Sequence, residues 1–355
     1  MGKGRVAVGL SGGVDSSVAA FLLKERGFDV VGVSLNLLKD GKSDVGEKAA
    51  KVAKKLGIEH HVLDISDFFE QTVIKNFNES YLCGKTPNPC VMCNRLVKWG
   101  KMFDVARENF GAEFFATGHY ADVRRKNGKS LLFPAKDTHK DQLYFLFNIP
   151  QNLLEKTIFP LAEFSSKAEI REIAAQNDLP SKSAKDSQDI CFIQKPMTFS
   201  KYAESVLKPE EGDFIMNSTG KRVGKHFGAA RFTPGQRKGL GIAYKEPLYV
   251  VRTDVAENKV YIGTRDELFY DTVIVNDLNM HDLEVGDEFS ALVKIRYNMS
   301  AVPAKVRIDG DFAKITFETP VSAPAKGQAA VFYDENDGHL TGGGFIFGAE
   351  RGDER

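Results

Sequence analysis

Residues Arg5–Ser17 read "RVAVGLSGGVDSS" and decide the first domain. Arg5–Leu10 is a strand-length apolar run, and "SSVAAFLLKERG" from Ser16 has helical spacing with Gly27 as a stop. The Gly- and Ser-rich turn between them exposes several backbone N–H groups beside a helix N-terminus, an arrangement that suits phosphate. It is not a Walker A loop, because the Lys-Ser/Thr ending is missing, nor is it G-x-G-x-x-G.

The alternation continues. "DVVGVSL" is a second strand, Glu47–Leu56 a helix ending at Gly57, and "IEHHVLDI" a third strand. Helices are expected over Asp67–Ser80 and about Arg95–Asn109, then a strand in "AEFFATG". Such alternation implies an α/β doubly wound parallel sheet with ligands at the carboxyl ends of its strands. After about Lys195 glycines and turn pairs crowd in, and short alternating segments such as "DTVIVNDL", "FSALVKIRY" and "GQAAVFYDEND" predict an antiparallel barrel or sandwich. The expected partition is a catalytic domain over 1–195, a small linking domain over 196–265 and a C-terminal β-barrel over 266–355, with "ERGDER" as a disordered tail.

The 355 residues suffice for two or three cores, and 42% hydrophobic with 27% charged residues is globular composition. No apolar run of about 18 residues predicts a membrane span, and "MGKGRVAVGL" lacks the features of a signal peptide. Four cysteines are too few for a disulfide scaffold, so a cytoplasmic, reducing location is expected. Lys+Arg and Asp+Glu are both 48, yet Lys221, Arg222, Lys225, Arg231, Arg237 and Lys238 fall in 18 residues without one acid. That segment is either a solvated loop or a phosphate-contacting surface.

"TPNPCVMCN" places Cys90 and Cys93 two residues apart behind Pro-Asn-Pro. A C-x-x-C alone fits half a zinc site, a disulfide-exchange pair, or something else.

Ser-Gly-Gly-x-Asp-Ser resembles the signature of the N-type ATP pyrophosphatases. The resemblance implies that ATP is cut between its α- and β-phosphates, held by Gly9, Leu10, Ser11, Gly12, Gly13, Val14, Asp15 and Ser16. Asp15 would position Mg²⁺ with water and phosphate oxygens completing its shell. "TPNPCVMCNRLVKWG", "ATGHYADV", "HKDQLYFL", "DSQDICFI", "TPGQRKGLGI", "IRY" and "KGQAAVFYD" follow in order over nearly the whole chain. The series resembles the tRNA-specific 2-thiouridylases, which thiolate the wobble uridine of tRNA.

That resemblance makes Cys191 the residue that receives sulfur as a persulfide from a donor protein and Cys93 its catalytic partner. Many members have Asp where this chain has Cys90, so three thiols (Cys90, Cys93 and Cys191) are available to hold a [4Fe–4S] cluster with one open iron, a competing reading. Zinc is the lesser alternative, and Cys83 is read as a packed or incidental thiol. Leu35 is expected near adenine, Gly118 at ATP and His119 at the tRNA. Asn88 and Pro89, beside Cys90, are expected to border the flipped uridine. Lys140, Asp141, Gln142, Arg296, Tyr297 and Gln328 are expected at tRNA. A synthetase forming amide or guanidine bonds would need neither the remote cysteine pair nor a barrel. A non-catalytic sulfur carrier would leave "SGGVDSS" unexplained.

Overall fold

The computed structural model describes residues 2–39, 44–184, 190–193, 196–207, 210–282 and 288–352. They form two compact units: 1–73 with 90–188 and 337–341, and 74–89 with 189–336 and 342–355. Most of "KDSQDICFIQ" and the 195/196 boundary lie outside the described residues.

In the first unit, β1 (Arg5–Gly9), β2 (Asp29–Asn36), β3 (Glu59–Asp64), β4 (Phe114–Ala116) and a later two-residue strand form one sheet. Its order is β3-β2-β1-β4 and then Thr157–Ile158, with every pair parallel. Val6 and Val8 point to one face, where α1 (Val14–Glu25), α2 (Val45–Leu56) and the helix Lys167–Gln176 bury Val18, Ala49 and Ile170. Phe115 points to the other, stacked on Phe103 and met edge-on by Trp99. Helices therefore cover both faces, as near-continuous apolar strands require. The chain leaves β1 for β2 on one side and for β4 on the other, so the crevice at the carboxyl end of β1 is the switch point.

Two boundaries differ from the sequence reading. The expected helix Arg95–Asn109 begins at Pro89 and runs as Pro89–Met92, Cys93–Met102 and Phe103–Phe110. Proline at the first helical position loses no intrahelical bond, so Pro89 opens the helix and both cysteines ride on it. An unforeseen hairpin joins β5 (Asp122–Lys126) to β6 (Lys129–Phe133) through Asn127 and Gly128, both at positive φ.

In the second unit, β8 (Glu211–Met216), β9 (Arg222–Phe227), β10 (Tyr249–Asp254) and β11 (Lys259–Gly263) form a sheet ordered β10-β11-β8-β9, numbering the Thr157–Ile158 strand β7. Its β8–β11 pair is parallel, unlike the antiparallel pairing expected for this half. Strands β12 (Phe269–Met280), β13 (Glu288–Lys294), β14 (Val302–Asp309), β15 (Phe312–Ser322), β16 (Ala329–Tyr333) and β17 (Leu340–Glu350) close a six-stranded barrel. Alternation fills it: Ala304, Val306 and Ile308 point inward while Lys305 and Arg307 stay out. The expected disordered tail is held at its start, where Gly352 N–H donates to Asp271 Oδ2 (2.9 Å) and Arg351 lies over the Tyr270 ring.

Candidate active site

The phosphate loop is built by its own serines. Ser17 Oγ donates to Gly13 O (2.7 Å), Ser16 Oγ donates to the same carbonyl (3.1 Å), and Ser11 N–H donates to Ser16 Oγ (3.2 Å). Gly13 precedes α1 without a side-chain cap, so the first N–H groups of that helix remain for a ligand. Gly12 needs its missing side chain twice over. Its φ is +73°, and a Cβ there would stand 2.5 Å from Lys48 Cβ and 2.9 Å from Ala49 N. Gly118 closes the opposite wall, where a Cβ would meet Asp15 C and Ser16 N at 2.7 Å. Leu35, half-buried, ends β2 two residues beyond the Gly9–Val33 pair. Gly9 to Ser16, Leu35 and Gly118 thus share one sheet edge, and the glycine cradle fits a phosphate chain.

Asp15 is more constrained than expected. Tyr120 OH donates to its Oδ1 (2.8 Å), and Lys167 Nζ pairs with Oδ2. An Asp15 engaged this way is not a ready-made magnesium ligand, so the ion would be held mainly by phosphate oxygens and water. Tyr120 also ties in the Lys-Asp-Gln turn: its N–H donates to Gln142 Oε1 (2.9 Å) and its carbonyl accepts from Gln142 N–H (3.0 Å). The signal for Tyr120 was present in "TGHY", but nothing in the sequence singled out Lys167.

The cysteine helix is widened. Residues five apart on an α-helix point about 140° apart. The i→i+5 bonding of Cys93–Met102 brings position 98 back over position 93. Its register is pinned by Asn94 Nδ2 donating to Phe145 O (2.9 Å), Arg95 Nη1 to Asn148 Oδ1 (2.9 Å) and the buried Trp99 Nε1 to Thr157 Oγ1 (2.7 Å). Gly100, inside the widened stretch, kinks it with a non-helical ψ of −106°. Lys98 Nζ reaches His119 Nε2 at 3.2 Å, and His119 Nδ1 lies 2.7 Å from Thr117 Oγ1. An ammonium donates only, so the network assigns the imidazole proton to Nδ1. Burial first, and the Lys98 charge second, hold His119 well below the ordinary histidine value, so it is neutral at neutral pH.

Burial pushes both thiols up. Cys90 has exposed surface but is recessed, and Cys93 is half-buried. Lys98 opposes the rise at both thiols, and Cys90 adds to it at Cys93. The cation that acts on both thiols is Lys98, which sequence reading missed, although the net shift remains upward. Cys90 and Cys93 stand three apart on one helix face. Replacing Lys98 by Met is expected to cut sulfur transfer at neutral pH by up to about 10²-fold and to displace its pH profile to higher pH. The direction follows from removing the charge that lowers both thiols, and rates measured across pH check it.

In the second unit, Cys191 is exposed on a turn where Ile193 N–H donates to Ile190 O (2.9 Å). The neighbouring Phe192 anchors that turn against Phe77 and Tyr202. Cys83 is exposed at the end of the helix Lys75–Leu82 rather than packed. Asn88 is buried and Pro89 half-buried. Gln328 Nε2 donates to Thr86 O (2.9 Å) and Pro87 O (3.3 Å), so it braces the approach to Asn88. Arg296 Nη2 donates to Pro234 O (2.7 Å) and Ala323 O (2.5 Å), holding the Thr-Pro-Gly turn, while Tyr297 is half-buried beside it. Both residues expected at tRNA therefore carry structural bonds as well. Lys140 and Asp141 lie half-buried on the turn before Gln142.

Three family models match in succession: the tRNA methyl transferase HUP domain over residues 4–195, its PRC-barrel domain over 200–264, and an aminomethyltransferase beta-barrel domain over 270–346. The tRNA-specific 2-thiouridylase MnmA 1 of Clostridium botulinum (strain Okra / Type B1) is 42% identical over 98% of this chain and 99% of its own. The tRNA-specific 2-thiouridylase of Pelobacter propionicus is 40% identical over the same shares, and that of a Picosynechococcus species 41% identical over 97% and 98%.

The chain belongs to the tRNA-specific 2-thiouridylase family.

The glycine cradle at β1 fits a phosphate chain, and Lys98 acts both on the Cys93 thiol and on the neutral His119 imidazole. No helix among the described residues is long and apolar enough to cross a membrane.

Proposed function

We propose that the chain catalyses ATP-dependent 2-thiolation of the wobble uridine of tRNA. The observation that carries this is the presence in one unit of the Ser11–Gly13 cradle and the widened helix that sets Lys98 against His119 beside Cys93. The segments 1–195, 196–265 and 266–355 serve as catalytic, linking and barrel domains, the latter two contacting tRNA. Uridine O2 attacks the α-phosphate of ATP, and pyrophosphate leaves into the loop at Gly9–Ser16, with Mg²⁺ on the phosphates. Leu35 packs near adenine and Gly118 lines the nucleotide. The flipped uridine lies among Asn88, Pro89, Cys90 and His119, where His119 is held neutral. Lys140, Asp141, Gln142, Arg296, Tyr297 and Gln328 position the tRNA.

A donor protein leaves a persulfide on Cys191. Its terminal sulfur attacks C2, and AMP departs with O2. Cys93 thiolate then attacks Cys191 Sγ, breaking the S–S bond and leaving the former terminal sulfur on C2 as 2-thiouridine. The product is a Cys93–Cys191 disulfide, which an external thiol reduces. The reaction is assigned to the cytoplasm, a reading that the free cysteines and the need for a reductant support. Adding tRNA, ATP and a persulfide donor to the pure protein, then quantifying 2-thiouridine, AMP and pyrophosphate, tests this reading. Absence of thiolated nucleoside contradicts it.

The pH dependence has a defined sign. Since burial raises Cys93, its thiolate is the minor form at neutral pH. The sulfur-transfer step is expected to accelerate as pH rises from neutrality, about tenfold per pH unit, until the thiol titrates. Single-turnover rates across pH check this, and a flat profile would show that Cys93 need not ionise.

A second reading rests on Cys90 and Cys93 sharing a helix face. With Cys191 they would ligate a [4Fe–4S] cluster whose open iron binds sulfide. Iron content after anaerobic purification separates the readings. The relay predicts no iron and a functional Cys90→Ala protein.

A further inference from the structure

Tyr120 is bonded on one side to the phosphate loop and on the other to the turn read above as a tRNA contact. Its OH donates to Asp15 Oδ1 (2.8 Å). Its backbone is clamped twice by Gln142, whose Oε1 accepts from Tyr120 N–H (2.9 Å) and whose N–H donates to Tyr120 O (3.0 Å). Gln142 closes the turn that holds Lys140 and Asp141 and opens the helix Leu143–Leu146, where Phe145 N–H donates back to its carbonyl (3.0 Å).

The path between the two is stiff. Tyr120 is 3% exposed, and its ring belongs to the apolar cluster that includes Val14, Val18 and Ile170. Two residues earlier the Gly118 backbone lies against the first turn of α1, where a Cβ would stand 2.7 Å from Asp15 C and Ser16 N. A close-packed segment of this kind transmits a displacement of Gln142 to Asp15 rather than absorbing it. What such a displacement moves is charge. Lys167 Nζ pairs with the other oxygen, Asp15 Oδ2, and lies 5.8 Å from the centre of the Tyr120 ring. The two side chains are only 15% and 29% exposed, so water screens the pair in part. A phosphate chain at the loop is attracted by Lys167 and repelled by Asp15, and the balance depends on how the carboxylate is turned. The Tyr120 hydroxyl sets that turn.

We propose that Tyr120 is a positioning residue that couples tRNA docking at Lys140–Gln142 to ATP binding at the phosphate loop, so that each ligand tightens the other. A tRNA that seats the turn fixes Gln142, and Gln142 fixes Tyr120. The hydroxyl then keeps the Asp15 carboxylate on Lys167 and away from the phosphates. Coupling between two binding sites is reciprocal and ordinarily amounts to about 5- to 150-fold in affinity. In this protein it would hold ATP ready for cleavage only where a uridine is present to take the adenylate. The inference rests on the tRNA-thiolation reading given above and adds to it a dependence of one substrate on the other.

The experiment is equilibrium dialysis of radiolabelled α,β-methylene-ATP with Mg²⁺, an analogue that cannot be cut between its α- and β-phosphates. It is run against the full-length protein alone and against the protein saturated with unmodified tRNA, and the ratio of the two Kd values reads the coupling. The parent protein should give a ratio of about tenfold. Tyr120→Phe keeps the ring and the backbone clamp and loses only the hydroxyl, and its ratio should fall to about one. Gln142→Ala, which removes the acceptor for Tyr120 N–H, should lower the ratio from the other end. Each ratio is taken within one protein, so a general weakening of the cradle cancels and a merely structural hydroxyl would leave it unmoved. A parent ratio of one, or a Tyr120→Phe ratio equal to the parent's, overturns the proposal. Dialysis needs no turnover, so coupling that Tyr120→Phe abolishes in a protein that never forms 2-thiouridine would support this inference and fail the functional reading.

Discussion

Cys93→Ala and Cys191→Ala are each expected to lose sulfur transfer by about 10³-fold or more while still cleaving ATP. Removing a nucleophile that acts as one member of a unit costs about as much as removing the whole unit. The two halves of the chemistry are separable in this fold, however. The glycine cradle proposed to hold ATP is set by Gly12, Ser16, Ser17 and Gly118 at the end of β1, none of which touches the Cys93 helix through a hydrogen bond named above. Pyrophosphate should therefore appear in a burst equal to the tRNA bound, with no 2-thiouridine following. Cys90→Ala should retain most activity under the relay, because its thiol takes no part in bond making. Loss of pyrophosphate release in Cys93→Ala would show that the thiol is needed before the sulfur step.

The second large effect is at Gly118. Alanine there places a Cβ 2.7 Å from the backbone of Asp15 and Ser16, and backbone cannot swing aside as a flexible side chain would. Either the first turn of α1 or the β4 end must shift, and the N–H groups facing the phosphates shift with it. Misplacement on the order of 1 Å costs about 10²-fold. The KM for ATP should rise by about that factor, while alkylation of Cys93 by a thiol reagent proceeds as in the parent. The same change should leave thermal unfolding of the second unit in place. A wild-type KM would show that Gly118 is merely small rather than required.

Much of the fold was legible because its signals are local. The apolar run Val6–Val8, the Ser-Gly-Gly turn and the Gly57 stop each announce themselves within a few residues, as does the alternation of Ala304, Val306 and Ile308. The hairpin at Asn127-Gly128 carried an equally local signal, the dipeptide that a two-residue turn demands, and its strands were passed over because Arg124, Arg125 and Lys126 mask the alternation. The parallel β8–β11 pair was not legible, since it joins segments some 45 positions apart with nothing in either to set direction.

The site divides in the same way. Ser11, Gly12, Gly13 and Cys93 stand in motifs. Lys98 lies within "TPNPCVMCNRLVKWG" but drew no attention, because on an ordinary helix it would face away from Cys93. Only the widened turn, which no residue in "CNRLVKWG" advertises, brings it to His119. Lys167 reaches Asp15 from 152 positions away, a contact that only the packing of its helix on α1 creates. Gln328 and Arg296 show the converse: motif positions read as substrate contacts also brace the chain's own backbone.

The measurement that bears most directly on the account is a single turnover started from protein carrying a radiolabelled persulfide on Cys191, mixed with ATP and unmodified tRNA. The account predicts one labelled 2-thiouridine at the wobble position for each persulfide consumed, equal AMP and pyrophosphate, and a Cys93–Cys191 disulfide in the spent protein. Label that stays on the protein while AMP is released, or thiolated tRNA with both cysteines still free, would contradict it.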